Sequence, residues 1–169
     1  KHDEAKKTYE QGLHHLPGNK NILEALGNLR YRAQDWDGGI EVFEKIVQQD
    51  GQSVFAFFLL GDMYQRKALE VENKADDDSN RQMMEYLEKS AKSYEACLSL
   101  RAGWKDFYTR LGPIYEKTGD KDKAASVYQR GLRIFPQDIN LQTRFEKTLP
   151  DEITTLEAYR QLMEANPDN

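Results

Sequence analysis

Few side chains in this sequence could do covalent or metal chemistry. The histidines are His2, His14 and His15, and the single cysteine is Cys97. Adjacent residues such as His14 and His15 point apart on a helix, so they do not converge on a metal ion or a shared proton. Near a helix C-terminus they are better suited to offsetting its negative end. Cys97 has no partner for an internal disulfide and reads as a small core residue, not a nucleophile. There is no glycine-rich phosphate loop and no His-Glu-x-x-His, the pattern that sets two imidazoles on one helical face around zinc. The many Asp, Glu and Lys residues fall at the spacings of solvated helix faces. These residue types predict no catalytic site, no cofactor and no resident metal.

The remaining chemistry is recognition. Tyr31, Phe55 and Phe58 are aromatic surfaces that can take up apolar side chains, and Arg66, Arg110, Lys117, Arg144 and Lys147 are cations that bind carboxylates. Asp62 lies among them as a counter-charge. Whether they share a surface depends on the elements that carry them.

Composition narrows those elements. Of 169 residues, 38% are hydrophobic and 31% charged, too apolar for a disordered chain and too charged for a membrane protein. The longest apolar run, Val54 to Leu60, is far shorter than the roughly 20 residues that span a bilayer. A formal charge of −5 argues against a chain built to grip nucleic-acid backbone. The lone cysteine and the absence of an Asn-x-Ser/Thr sequon favour an intracellular, cytoplasmic setting. The sequence lacks an initiator Met and starts in mid-pattern, as expected of a piece of a longer protein.

The pattern is a repeat of helix pairs. Tyr108, Leu111, Gly112 and Tyr115 fall on one face of a first helix, A. Ala124, Tyr128 and Gly131 fall on one face of a second, B, with Gly119-Asp120 as the turn and Pro136 as the stop. This spacing resembles the tetratricopeptide signature, W-x2-L-G-x2-Y…A-x3-F…P, over 34 residues. Three further position sets hold the register. The B-helix aromatics Tyr9, Phe43, Tyr94, Tyr128 and Tyr159 are spaced 34, 51, 34 and 31. The B-helix ends Pro17, Gly51, Ala102, Pro136 and Pro167 repeat those steps, and Gly27, Gly61 and Gly112 are spaced 34 and 51.

The resemblance implies an all-α, right-handed superhelical solenoid of antiparallel helix pairs. Residues 1–19 read as a lone B helix and 20–53 as a full repeat. Residues 54–104 read as a repeat with 17 extra residues between its helices, 105–138 as a full repeat and 139–169 as a shortened one. The strand-like run Val54–Leu60 is expected to be helical, with Phe57, Leu60, Gly61 and Tyr64 on its core stripe. Arg30 stands where an aromatic is expected, Phe145-Glu146 replaces the last Leu-Gly pair, and Pro113 should bend its helix. The extra residues predict an extended helical hairpin, about 12 Å of added reach at 1.5 Å per residue, helical again from Arg81 after an acidic break at 75–80.

Stacked repeats of this kind line a concave groove with their A helices. Residues of helix A outside its core stripe are therefore expected to face the groove: Tyr31, Phe55, Phe58, Asp62, Arg66, Arg110, Lys117, Arg144 and Lys147, with Glu24, Arg32 and Asp106. Their charges sum to +3, which favours an acidic protein or peptide with apolar anchors. The family's carboxylate clamp for heat-shock chaperone tails is not expected, because Glu24, Leu59 and Asp106 occupy three of its five places. The expected function is a protein-interaction scaffold. An architectural role is the alternative, with self-association through the ends and contacts through the 65–89 hairpin and a C-terminal helix carrying Leu156, Tyr159, Leu162 and Met163. An RNA-processing repeat is a minor one.

Overall fold

The computed structural model describes residues 2–72 and 77–149. Among them are eight α-helices and no strand. They are α1 (His2–His15), α2 (Lys20–Arg32), α3 (Trp36–Gln49), α4 (Val54–Glu72), α5 (Asp77–Leu100), α6 (Lys105–Lys117), α7 (Lys121–Ile134) and α8 (Ile139–Thr148). Tyr159 and the other residues of the expected last helix lie outside the described residues. The chain divides into two compact units, 1–102 and 103–169.

Short polar side chains start the helices. Asn19, Asp35, Asp120 and Asp138 each accept a hydrogen bond from the backbone N–H three residues on, satisfying a donor that the first turn leaves unpaired. Gly119, at φ +80°, turns the chain out of α6, a left-handed conformation that costs glycine little. Pro113 lies inside α6, which runs unbroken from Lys105 to Lys117.

The glycine register marks where the two helices of a pair meet. A Cβ on Gly27 would lie 2.7 Å from the Phe43 ring, one on Gly61 2.8 Å from Tyr94, and one on Gly112 2.1 Å from Tyr128. Phe43, Tyr94 and Tyr128 are fully buried. An aromatic ring from helix B thus enters the space vacated by the missing side chain on helix A, three times in register.

In unit 1, α4 packs against both α3 and α5. Covering two flanks of one helix widens its buried face beyond the expected stripe. Ala56, Leu59, Leu60, Met63 and Tyr64 are buried, whereas Phe57 is only half-buried. Arg30 takes the place of the missing aromatic. Its Nη2 donates to Glu10 on α1 at 3.2 Å, and its Nη1 lies 3.6 Å from Asp35. One repeat later Tyr64 donates to Glu44 on α3. Glu10 and Glu44 are 34 residues apart, as are Arg30 and Tyr64, so the same tie between a B helix and the next A helix recurs. Burial, and then the Glu44 bond, raise the Tyr64 pKa well above the ordinary phenol value.

The extended hairpin is built from α4 and α5. They have 19 and 24 residues, against 13 or 14 in α2, α3, α6 and α7. The added turns have an apolar seam of their own, with Ala68 and Val71 on α4 and Met83 and Leu87 on α5 all buried. α5 starts at Asp77, not at Arg81, and Asp77 and Asp78 occupy its first turn, where carboxylates offset the positive helix end. Residues 73–76, which include the start of the expected acidic break, lie outside the described residues.

Candidate functional site

In unit 1 the first wall is formed by α2 and α4, the A helices of successive repeats. The Tyr31 hydroxyl donates to Asp62 Oδ2 across 2.7 Å and bridges them. The helical pattern places Asp62 on the open surface; instead it is 4% exposed. A buried carboxylate is costly unless hydrogen-bonded and paired. Tyr31 supplies the bond, and Arg66 Nε, one turn along α4, lies 3.5 Å from the same oxygen. The Arg66 side chain is 52% exposed. Tyr31 is itself packed edge-to-face on Trp36.

The two phenylalanines of this wall differ. Phe55 is 49% exposed, and its ring rests edge-to-face on the buried Phe43, with centroids 6.1 Å apart. Phe58 is half-buried against Tyr94 at 6.0 Å. Each ring has its own aromatic support, Phe43 on α3 for Phe55 and Tyr94 on α5 for Phe58. Phe55, Asp62 and Arg66 are separated by seven and then four residues, which places them on one side of α4.

In unit 2 the corresponding wall is formed by α6 and α8. Arg144 Nε donates to Asn140 at 3.0 Å, and Nη1 lies 3.4 Å from Glu116 Oε2 on α6. The other oxygen of Glu116 accepts the Tyr128 hydroxyl. Burial, and then that bond, push the Tyr128 pKa up. Lys117 and Lys147 are exposed, and Arg110 is half-buried. Reasoning from sequence missed Glu116, which offsets Arg144 and lowers the expected basic character of this wall. Its signal was local: Glu116 follows Tyr115 on the same helix and reaches the Tyr128 that fills the space at Gly112.

His14 and His15 are exposed at the end of α1, but their rings do not point apart as expected: the side chains bend together and meet edge-to-face, with centroids 5.5 Å apart. Cys97 is buried, and its thiol is pushed up to about 12 by that burial. Among the described residues no group of three or more His, Cys, Asp or Glu is placed to hold a metal ion. No helix among them is long and apolar enough to cross a membrane.

Paired antiparallel helices with one glycine–aromatic register define a helical-repeat scaffold. The tetratricopeptide-repeat family models match residues 1–54 and 106–138, and the chain belongs to the tetratricopeptide-repeat superfamily. It is similar to interferon-induced protein with tetratricopeptide repeats 2 of Cricetulus griseus, 18% identical over 131 residues, which is 78% of this chain and 28% of that protein. The chain therefore spans little more than a quarter of that relative's length. Among solved structures, the MamA protein aligns with a TM-score of 0.68 at 22% identity, over 98% of this chain and 83% of its own. A thermophilic tetratricopeptide-repeat protein of Thermus thermophilus aligns at 0.55 and 15%, over 99% and 84%. At these identities the likeness is one of fold.

Proposed function

We propose that this chain is a protein-interaction scaffold whose A-helix walls hold a segment of a partner protein. The observation that carries the reading is Phe55. A large apolar ring is left half in solvent on the same side of α4 as the Tyr31–Asp62–Arg66 group, yet it is braced from behind by buried Phe43. A braced, solvent-facing aromatic has the makings of a binding hot spot, because little freedom remains to be lost on contact. The exposed cations Arg32 and Arg66 of the unit 1 wall favour a segment bearing acidic residues.

The test uses a displayed library of random 12-residue peptides selected on the full chain. Peptides that bind should lose about tenfold or more in affinity on Phe55→Ala, as a hot-spot truncation does, while the helical circular dichroism is retained. Selected peptides that bind Phe55→Ala as tightly as the parent would overturn the reading.

A further inference from the structure

The 17-residue enlargement of the third repeat lengthens α4 as well as α5, and α4 is a wall helix. The added turns therefore continue the wall. Counting 100° per residue, Phe55, Phe58, Asp62, Arg66 and Leu69 lie within about 80° of one another around the α4 axis. Leu69 is 50% exposed although it lies in the added turns, while its neighbours Ala68 and Val71 are buried against α5. α2 ends at Arg32, the repeat position that Arg66 occupies on α4. Leu69 thus stands past the end of the neighbouring wall helix. On the flank of α4 toward α3, Lys67 pairs with Asp37 at 3.0 Å, which holds this stretch against the repeat before it.

We propose that the insertion extends the ligand wall, so that Leu69 is a second apolar subsite in line with Phe55, and Arg66 between them reads an acidic side chain. The idea rests on the groove reading above. Its occupant is an extended acidic segment with two apolar residues. From Phe55 to Leu69 is about 21 Å along the helix, and from Phe55 to Arg66 about 16 Å, at 1.5 Å per residue. An extended segment rises about 3.3 Å per residue, so its apolar residues fall roughly six apart with the acid beside the one near Leu69. Charge favours this occupant. Asp62 is buried and held by Tyr31, so on the Phe55–Leu69 stripe of α4 the exposed charge is Arg66; Arg32 is exposed at the end of α2, while Glu24 is half-buried two turns back along that helix and Glu70 lies 3.6 Å from Lys67. Asp62 engages Arg66 through Nε, which leaves the two terminal nitrogens to fork onto a carboxylate.

Here Asp62 is a positioning residue, and orientation separates this idea from simple charge attraction. Arg66→Lys keeps the charge but cannot hold Asp62 and fork onto a ligand at once. The experiment takes library peptides whose binding to the full chain depends on Phe55 and titrates them against variants, each peptide in Glu and Gln versions. Leu69→Glu and Leu69→Ala should weaken binding about tenfold and several-fold, respectively, while Met84→Glu, elsewhere on the same hairpin, leaves it within about twofold. Arg66→Lys and Asp62→Asn should both lower the preference for Glu over Gln.

Phe55-dependent peptides insensitive to Leu69 would overturn the extension and leave the groove reading standing. Equal losses at Leu69 and Met84 would make the hairpin a separate arm. A Glu preference that survives Arg66→Lys, or rises in Asp62→Asn, would show that net charge is read instead of a positioned fork. If no peptide depends on Phe55, the groove reading itself falls.

Discussion

Gly112→Ala tests the logic that builds each helix pair. The added Cβ would lie 2.1 Å from Tyr128 Cε1, 2.2 Å from Cζ and 2.5 Å from the hydroxyl oxygen, where ordinary contact begins at 3.4 Å. The ring would have to retreat by more than 1 Å. It is fully buried, and its hydroxyl is bonded to Glu116, which also engages Arg144. Overpacking of this kind costs about 1–3 kcal/mol. Pulling the hydroxyl off a charged acceptor costs about 1–3 kcal/mol more. Replacing a mid-helix glycine with alanine returns about 1 kcal/mol. The net is a destabilisation of unit 2 by about 3 kcal/mol on these figures. The sequence has two tryptophans, so a Trp36→Phe background leaves Trp104 as the fluorescent reporter of unit 2 in a urea titration. Gly12→Ala, in unit 1, is the control, read from Trp36 in a Trp104→Phe background. Its Cβ meets only the Ile22 side chain, at 3.1 Å or more, and that variant should be neutral or slightly stabilised. A Gly112→Ala midpoint equal to or above the parent's would refute the reasoning.

Three further outcomes follow from the same contacts. Tyr31→Phe leaves Asp62 buried with one fewer donor and should destabilise unit 1 by about 1–3 kcal/mol, read from Trp36 fluorescence in urea; an unchanged midpoint would count against the bridge. The Lys105 hydrogen bond, reinforced by the Leu141 N–H, holds the Asp138 pKa below its usual value. The stability it adds is present above the unfolded carboxylate range, near pH 4, and is lost as pH falls through the lower folded value. Asp138→Asn should therefore flatten the acid limb of the unit 2 stability profile, and an unaltered limb would contradict the linkage. Cys97, with its thiol near 12, should resist iodoacetamide at about pH 8 in the native protein and react once unfolded; rapid native alkylation would contradict its burial.

Much of the fold was legible because it rests on spacing. The spacings of Gly27, Gly61 and Gly112 and of Phe43, Tyr94 and Tyr128 are plain in the sequence, and the structure brings each glycine onto its ring, since a repeated register repeats the same local geometry. The strand-like composition of Val54–Leu60 gives way to that register, and α4 is helical there. The candidate site was less legible because its contacts cross repeats. Asp62 sits at a helical position where a carboxylate usually meets solvent, and the Tyr31 hydroxyl, 31 residues away in sequence, bonds it where it is buried. A single-stripe view of α4 puts Leu59 on the open side because it ignores the second neighbour, α3. Glu116 escapes a sequence reading because its partner, Tyr128, counts there only as a core ring. Leu69 escapes it because the extra turns read as an arm apart from the wall.

The most direct test of the binding wall is amide chemical-shift mapping of the full chain titrated with a Phe55-dependent library peptide. Shifts concentrated in Lys20–Arg32 and Val54–Glu72, including the amides around Leu69, are the expected result. Shifts confined to α3 and α5, with α2 and α4 unmoved, would contradict it.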